Sequence, residues 1–135
     1  MCYRYMAQSN VTQMDAQNIC LKQNSNLASV HSEEENAFLN RIFTYGYIGP
    51  WYVDGVYFGL RYENYQWKWL DGTKVDYTNW GPDRPLDPVN RTCGYFYPDE
   101  EPNWIRKWEN YIPTFRLNRF VCEKKPRLVF VAEDL

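Results

Sequence analysis

One histidine and four cysteines bound the chemistry open to this chain. No Cys-x-x-Cys pair occurs and His31 is the only imidazole, so the common zinc arrangements are excluded. His31 precedes Ser32-Glu33-Glu34-Glu35, whose carboxylates suit the positive end of a helix dipole better than acid–base work. His31 is accordingly expected to be a surface residue. There is no Gly-x-Ser-x-Gly, no phosphate-binding loop and no evident Ser–His–Asp set. The chain is therefore read as a non-enzyme without a cofactor. The even cysteine count, Cys2, Cys20, Cys93 and Cys122, permits disulfides without assigning them. Asn10-Val11-Thr12 and Asn90-Arg91-Thr92 are glycosylation sequons, so Asn10 and Asn90 are candidate carriers of glycan.

The composition points to a binding surface. Aromatic residues make up 19% of the 135, with six Trp and twelve Tyr, which favours strands, loops and contact surfaces over a helical bundle. Tyr45, Tyr47, Trp51 and Tyr52 crowd one segment, and Trp104, Trp108 and Tyr111 another. Aromatics combined with Arg dominate binding hot spots. Fifteen basic against seventeen acidic residues leave a formal charge of -2, which gives no electrostatic case for nucleic acid or an anionic membrane. The longest apolar run, Leu128-Val129-Phe130-Val131-Ala132, is far below the roughly 20 residues a membrane span needs, so no membrane insertion is expected. No apolar run follows a basic start at Met1, so no signal peptide is read there.

The elements follow from caps and periodicity. Residues 2–6 read as a strand. Thr12 with Asp15 forms a capping box for a helix reaching Gln23, with Ala16, Ile19 and Cys20 inward. Ser32 with Glu35 caps a second helix carrying Phe38, Leu39, Ile42 and Phe43, which stops near Gly46–Pro50. Strands follow at 56–60, 66–70, 93–97 and 120–122, with a turn at Asp71-Gly72. Residues 79–92 hold three prolines and read as a long irregular loop. Helices first, then strands and loops, is an α+β order. The domain is expected over residues 1–125, with 126–135 a tail.

Taken in order, these segments resemble the C-type lectin-like family. The resemblance rests on Cys2-Tyr3-Arg4-Tyr5, Asp15-Ala16-Gln17 with Cys20, and Leu27-Ala28-Ser29-Val30-His31-Ser32 followed by Glu35-Asn36 and Phe38. It continues through Tyr57-Phe58-Gly59-Leu60, Trp69-Leu70-Asp71-Gly72-Thr73, Tyr77-Thr78-Asn79-Trp80 and Phe120-Val121-Cys122-Glu123. It implies two helices around a small antiparallel sheet, with a long ligand-carrying loop, in a secreted or extracellular protein. It also implies a Cys20–Cys122 disulfide. The family's second bridge would need a cysteine near Ile112 or Pro113, where this chain has none, so Cys93 lacks its usual partner. Cys2 resembles half of an additional N-terminal pair. Either thiol is then free or links to another chain, giving a disulfide-linked dimer. A Cys2–Cys93 bridge stays open, although the family places the two at opposite ends.

Lectins of this family hold sugar through calcium, which takes roughly 6–8 oxygen ligands. The resemblance places those ligands in Glu-Pro-Asn or Gln-Pro-Asp of the long loop, in a Glu before the next cysteine, and in Trp-Asn-Asp. Here Arg84-Pro85-Leu86 stands at the first position, Arg91 at the second, and Trp108-Glu109-Asn110 at the third. Only Glu109 and Asn110 keep oxygen donors, which predicts a calcium-independent module for a protein or cell-surface ligand, glycan included. Arg84, Arg91, Trp104, Trp108, Glu109 and Asn110 are the expected ligand contacts. The alternative is a calcium-dependent lectin using Glu101-Pro102-Asn103, which spells the sugar motif on the wrong side of Cys93.

Overall fold

The computed structural model describes residues 2–44, 54–99 and 103–124. The aromatic segment at 45–52, the Gly46–Pro50 helix stop and the tail lie outside them. The elements are β1 (Cys2–Val11), α1 (Gln13–Lys22), β2 (Asn26–Leu27), α2 (Glu33–Phe43), β3 (Val56–Glu63), β4 (Gln66–Trp69), β5 (Cys93–Phe96), β6 (Trp108–Tyr111) and β7 (Leu117–Lys124).

Both helix starts are fixed by their caps. Thr12 Oγ1 accepts from the Asp15 amide at 3.1 Å, and the Thr12 amide donates to Asp15 Oδ2 at 3.2 Å, which is the reciprocal box. At α2 only half of it forms. Ser32 Oγ accepts from the Glu35 amide at 3.1 Å, but the Glu35 carboxylate accepts from His31 N–H at 2.6 Å, one residue earlier than expected. Leu39 and Phe43 are buried, whereas Phe38 and Ile42 stay exposed at 50% and 42%.

The strands run β1-β7-β3-β5-β6, with β2 also on β7 and β4 on β3. All pairings are antiparallel except β3 with β7. The chain between those two strands makes a long excursion through β4, β5 and β6, so no hairpin constrains their relative direction. Alternation along the central strands divides the core in two. Tyr57, Tyr95, Leu117, Phe120 and Cys122 pack with Ala16 and Cys20 of α1. Val56, Phe58, Leu60, Phe96 and Val121 pack with Leu39 and Phe43 of α2. The middle of the sheet is thus buried on both faces.

Three devices tie the helices and crossing segments to this sheet. Cys20 and Cys122 form a disulfide across a sequence separation of 102. Closing a loop of that length contributes about 4–5 kcal/mol in the chain-entropy model. Gln13, fully buried, donates to the carbonyls of Phe58 and Leu60 at 3.0 and 2.8 Å and accepts from Arg61 at 3.1 Å. Gly59 lets the 27–28 segment cross β3: a Cβ there would lie 2.9 Å from the Leu27 carbonyl oxygen.

Candidate functional site

β6 sets one wall of the site. Its register against β5 places Glu109 opposite Tyr95 and Asn110 opposite Gly94, and the 79–92 loop lies across both. Asn110 is fully buried and fastens that loop by backbone mimicry. Its Oδ1 accepts from Leu86 N–H at 3.0 Å, and its Nδ2 donates to the carbonyls of Leu86 and Arg91 at 2.8 and 2.9 Å. Arg91 returns the bond, donating from Nε and Nη2 to the Asn110 carbonyl at 3.1 and 2.9 Å.

The charges close on one carboxylate. Glu109 Oε1 accepts from Arg84 Nε and from the Asn110 amide, the latter at 2.9 Å, while Arg91 Nη2 stands 3.7 Å away. The Glu109 side chain is only 9% exposed, against 21% for Arg84 and 20% for Arg91. Arg84 lies over the Trp104 ring at 5.4 Å and Arg91 over Tyr111 at 4.5 Å. The Trp104 ring rests on Gly81, where a Cβ would come within 2.1 Å of it. Two guanidiniums against one carboxylate leave the cluster with one excess positive charge.

This donor set does not fit calcium. Glu109 is the one carboxylate of the cluster and is held between two cations that would repel a divalent ion. The amide oxygen of Asn110 already accepts a backbone bond. Leu86 has no side-chain oxygen. Among the described residues, no group of three or more His, Cys, Asp and Glu converges as metal ligands do.

The expected contact residues thus separate. Arg84, Arg91, Glu109 and Asn110 come together, with Trp104 beside them. Trp108 does not join them: it is fully buried, ringed by Phe58, Trp69, Tyr77 and Trp80, and its indole N–H donates to Asn36 at 2.9 Å. Its place beside Glu109 in the sequence suggests a contact role, but its ring fills the core on the α2 side of the sheet. In the Glu-Pro-Asn segment Asn103 is exposed, and Glu101 and Pro102 lie outside the described residues. Asn10 and Asn90 are both exposed. Cys2 is placed by its backbone alone, opposite Lys124 on β7. Cys93 is a free thiol, fully buried, within 3.4 Å of Arg61 Nη1. Burial pushes its pKa up, which favours the less reactive thiol over the thiolate.

A second polar cluster escaped the sequence reading. His31 Nδ1 lies 2.7 Å from Asp76 Oδ1, and its Nε2 lies 3.1 Å from Ser29 Oγ and 3.0 Å from Thr73 Oγ1. His31 is therefore a half-buried network member, not a plain surface residue. The order Ser29–His31–Asp76 has the residue types of a hydrolytic relay. However, Ser29 is 1% exposed and donates its hydroxyl proton to Asp71 at 2.5 Å, as Thr73 does. No accessible hydroxyl here hands its proton to the imidazole.

Comparison with known proteins bears on the family and the fold. A lectin C-type domain model matches residues 9–124. C-type mannose receptor 2 of Mus musculus is 28% identical over 127 residues, covering 93% of this chain but 8% of the receptor. The chain thus spans a small part of that relative. One chain of the snaclec coagulation factor IX/factor X-binding protein of Echis carinatus is 32% identical, with 90% of each chain covered. Among solved structures, the cow carbohydrate-recognition domain of CD23, crystallised with an oligosaccharide, superposes with a TM-score of 0.74 at 25% identity, covering 94% of this chain and 89% of that one. The match across nearly the whole described fold settles the family: this chain belongs to the C-type lectin domain family.

Proposed function

We propose that residues 1–125 form a single extracellular recognition domain that binds a protein or cell-surface ligand without calcium and without catalysis. The Arg84–Glu109 pair carries the reading. It puts a fixed guanidinium against the carboxylate that a calcium ion would need, so the long loop is held by the protein's own charges. The ligand surface is then Arg84, Arg91 and Trp104, cationic and aromatic groups of the kind that anchor interfaces. The relative from Echis carinatus is by its name a protein binder, which supports a protein ligand. The Cys20–Cys122 bridge supports an oxidising, extracellular setting. No helix among the described residues is long and apolar enough to cross a membrane. A disulfide-linked dimer would run through Cys2, because Cys93 is buried.

Melting in millimolar calcium and in chelator tests this. An ion at a hundredfold excess over its Kd would add about 2.7 kcal/mol. The expected result is the same Tm in both. A rise of several degrees with calcium, lost on Glu101→Ala and Asn103→Ala, would overturn the proposal in favour of a calcium-dependent lectin.

A further inference from the structure

The two arginines of the long loop are spent on one edge and open on the other. Arg91 turns Nε and Nη2 to the Asn110 carbonyl, and its Nη1 makes no hydrogen bond among the described residues. Arg84 turns Nε to Glu109, and its Nη2 likewise makes none. Neither of these open nitrogens is a buried atom left without a partner, so both reach water. The two guanidiniums are neighbours, because Arg91 Nη2 stands 3.7 Å from the same Glu109 oxygen that Arg84 Nε bonds. They are also held in place. Each lies over an aromatic ring, and the turn before Arg91 is closed by the Asp87 carbonyl, which accepts from the amides of Asn90 and Arg91 at 3.1 and 2.9 Å.

The surroundings decide what can approach this pair. Leu86, Val89 and Ile112 are 44%, 67% and 40% exposed. They sit on the two segments that Asn110 joins, the loop on one side and the end of β6 on the other. A guanidinium donates and never accepts, and aliphatic side chains do neither, so the hydroxyls of a sugar find a poor match here. Asp83 and Asp87 are exposed on the same loop, and neither pairs with a guanidinium. Asp87 Oδ2 instead accepts from Asn90 Nδ2 at 2.9 Å. Their charge opposes a dense polyanion but leaves the open arginine edge for a single carboxylate.

We infer that this face binds a protein surface presenting an isolated carboxylate among apolar side chains. The inference rests on the recognition reading above and narrows its ligand to protein. The carboxylate meets the open edge of the Arg84–Arg91 pair, and its apolar neighbours cover Leu86, Val89 and Ile112.

A library of short random peptides displayed on phage is panned against the intact domain in chelator, and the enriched sequences are synthesised and titrated. The expected peptides carry Asp or Glu beside Leu, Ile, Val or Phe. Replacing that acid by its amide should lower affinity about tenfold. Val89→Asp with Ile112→Asp should lower it about tenfold too, without moving Tm, since both side chains are exposed and hold nothing in the loop. Four results would overturn the inference: no peptide is enriched, the acid is dispensable, the double Asp variant binds as well as the parent, or polyglutamate or a heparin-derived tetrasaccharide competes equally and shows a plain charge effect. Peptides that bind the domain but ignore these changes remove this inference and leave the recognition reading standing. Peptides that bind in calcium and not in chelator remove the recognition reading itself.

Discussion

Two polar clusters in this domain contain the residue types of a functional site, and they differ in depth. At the long loop, Glu109 and Asn110 are 7% and 0% exposed and face Arg84, Arg91 and three backbone groups of the loop. At the entrance to α2, Asp76 is 48% exposed and His31 22%, and the cluster joins that entrance to the 71–76 turn. Both clusters are tied together by hydrogen bonds and ion pairs within the chain. What separates them is the cost of breaking them. A group cut off from water has no substitute for its lost partner, whereas an exposed one is rehydrated.

Asn110→Leu should have the largest effect. It leaves Leu86 N–H and the carbonyls of Leu86 and Arg91 without their part-buried partner. The expected cost is about 3 kcal/mol or more by chemical denaturation. Glu109→Gln comes next, at about 1–3 kcal/mol, because it keeps the shape but leaves two guanidiniums facing a neutral amide. Its melt should be less salt-sensitive than the parent's if the loop is held by charge. If either variant is as stable as the parent, depth does not rank the clusters and the internal-counterion account of the loop fails.

Legibility in the sequence divides along the same line. Caps announce both helices, because Thr12 and Ser32 act on amides three residues away. Alternation announces β4, and short apolar and aromatic runs announce β3, β5 and β7. β6 is not legible as a strand, since Trp108-Glu109-Asn110 draws attention through its ligand role and not through its pleat. The long-loop site is legible only because a family pattern tells which positions to inspect. That pattern shows the loss of oxygen donors at Arg84, Leu86 and Arg91, but not that Arg84 takes the Glu109 carboxylate. The His31 cluster has no such guide. His31 and Asp76 lie 45 residues apart, Ser29 and Thr73 are common types, and no local spacing reports a contact made by tertiary packing.

Asp76→Asn should have the smallest effect, and its pH dependence is the sharper readout. The hydrogen bond from His31 Nδ1 holds the Asp76 pKa below its usual value, with a weaker pull from Lys74. A carboxylate whose folded pKa is depressed binds fewer protons folded than unfolded, so its contribution is full above the unfolded value, about 3.9, and is lost as pH falls through the folded one. Asparagine has nothing to titrate and resembles the protonated acid. The stability difference between parent and variant should therefore be present at about pH 5 and shrink as pH falls below the unfolded value and through the folded one. At about pH 5 it should also be a minor fraction of the Asn110→Leu cost, because solvent screens a pair this exposed. Urea melts of both proteins across that range supply the measurement. A difference that persists unchanged to the acid end would show that Asp76 acts through shape and not charge. One as large as that of Asn110→Leu would show that the two clusters bear equal weight, against the ranking by depth.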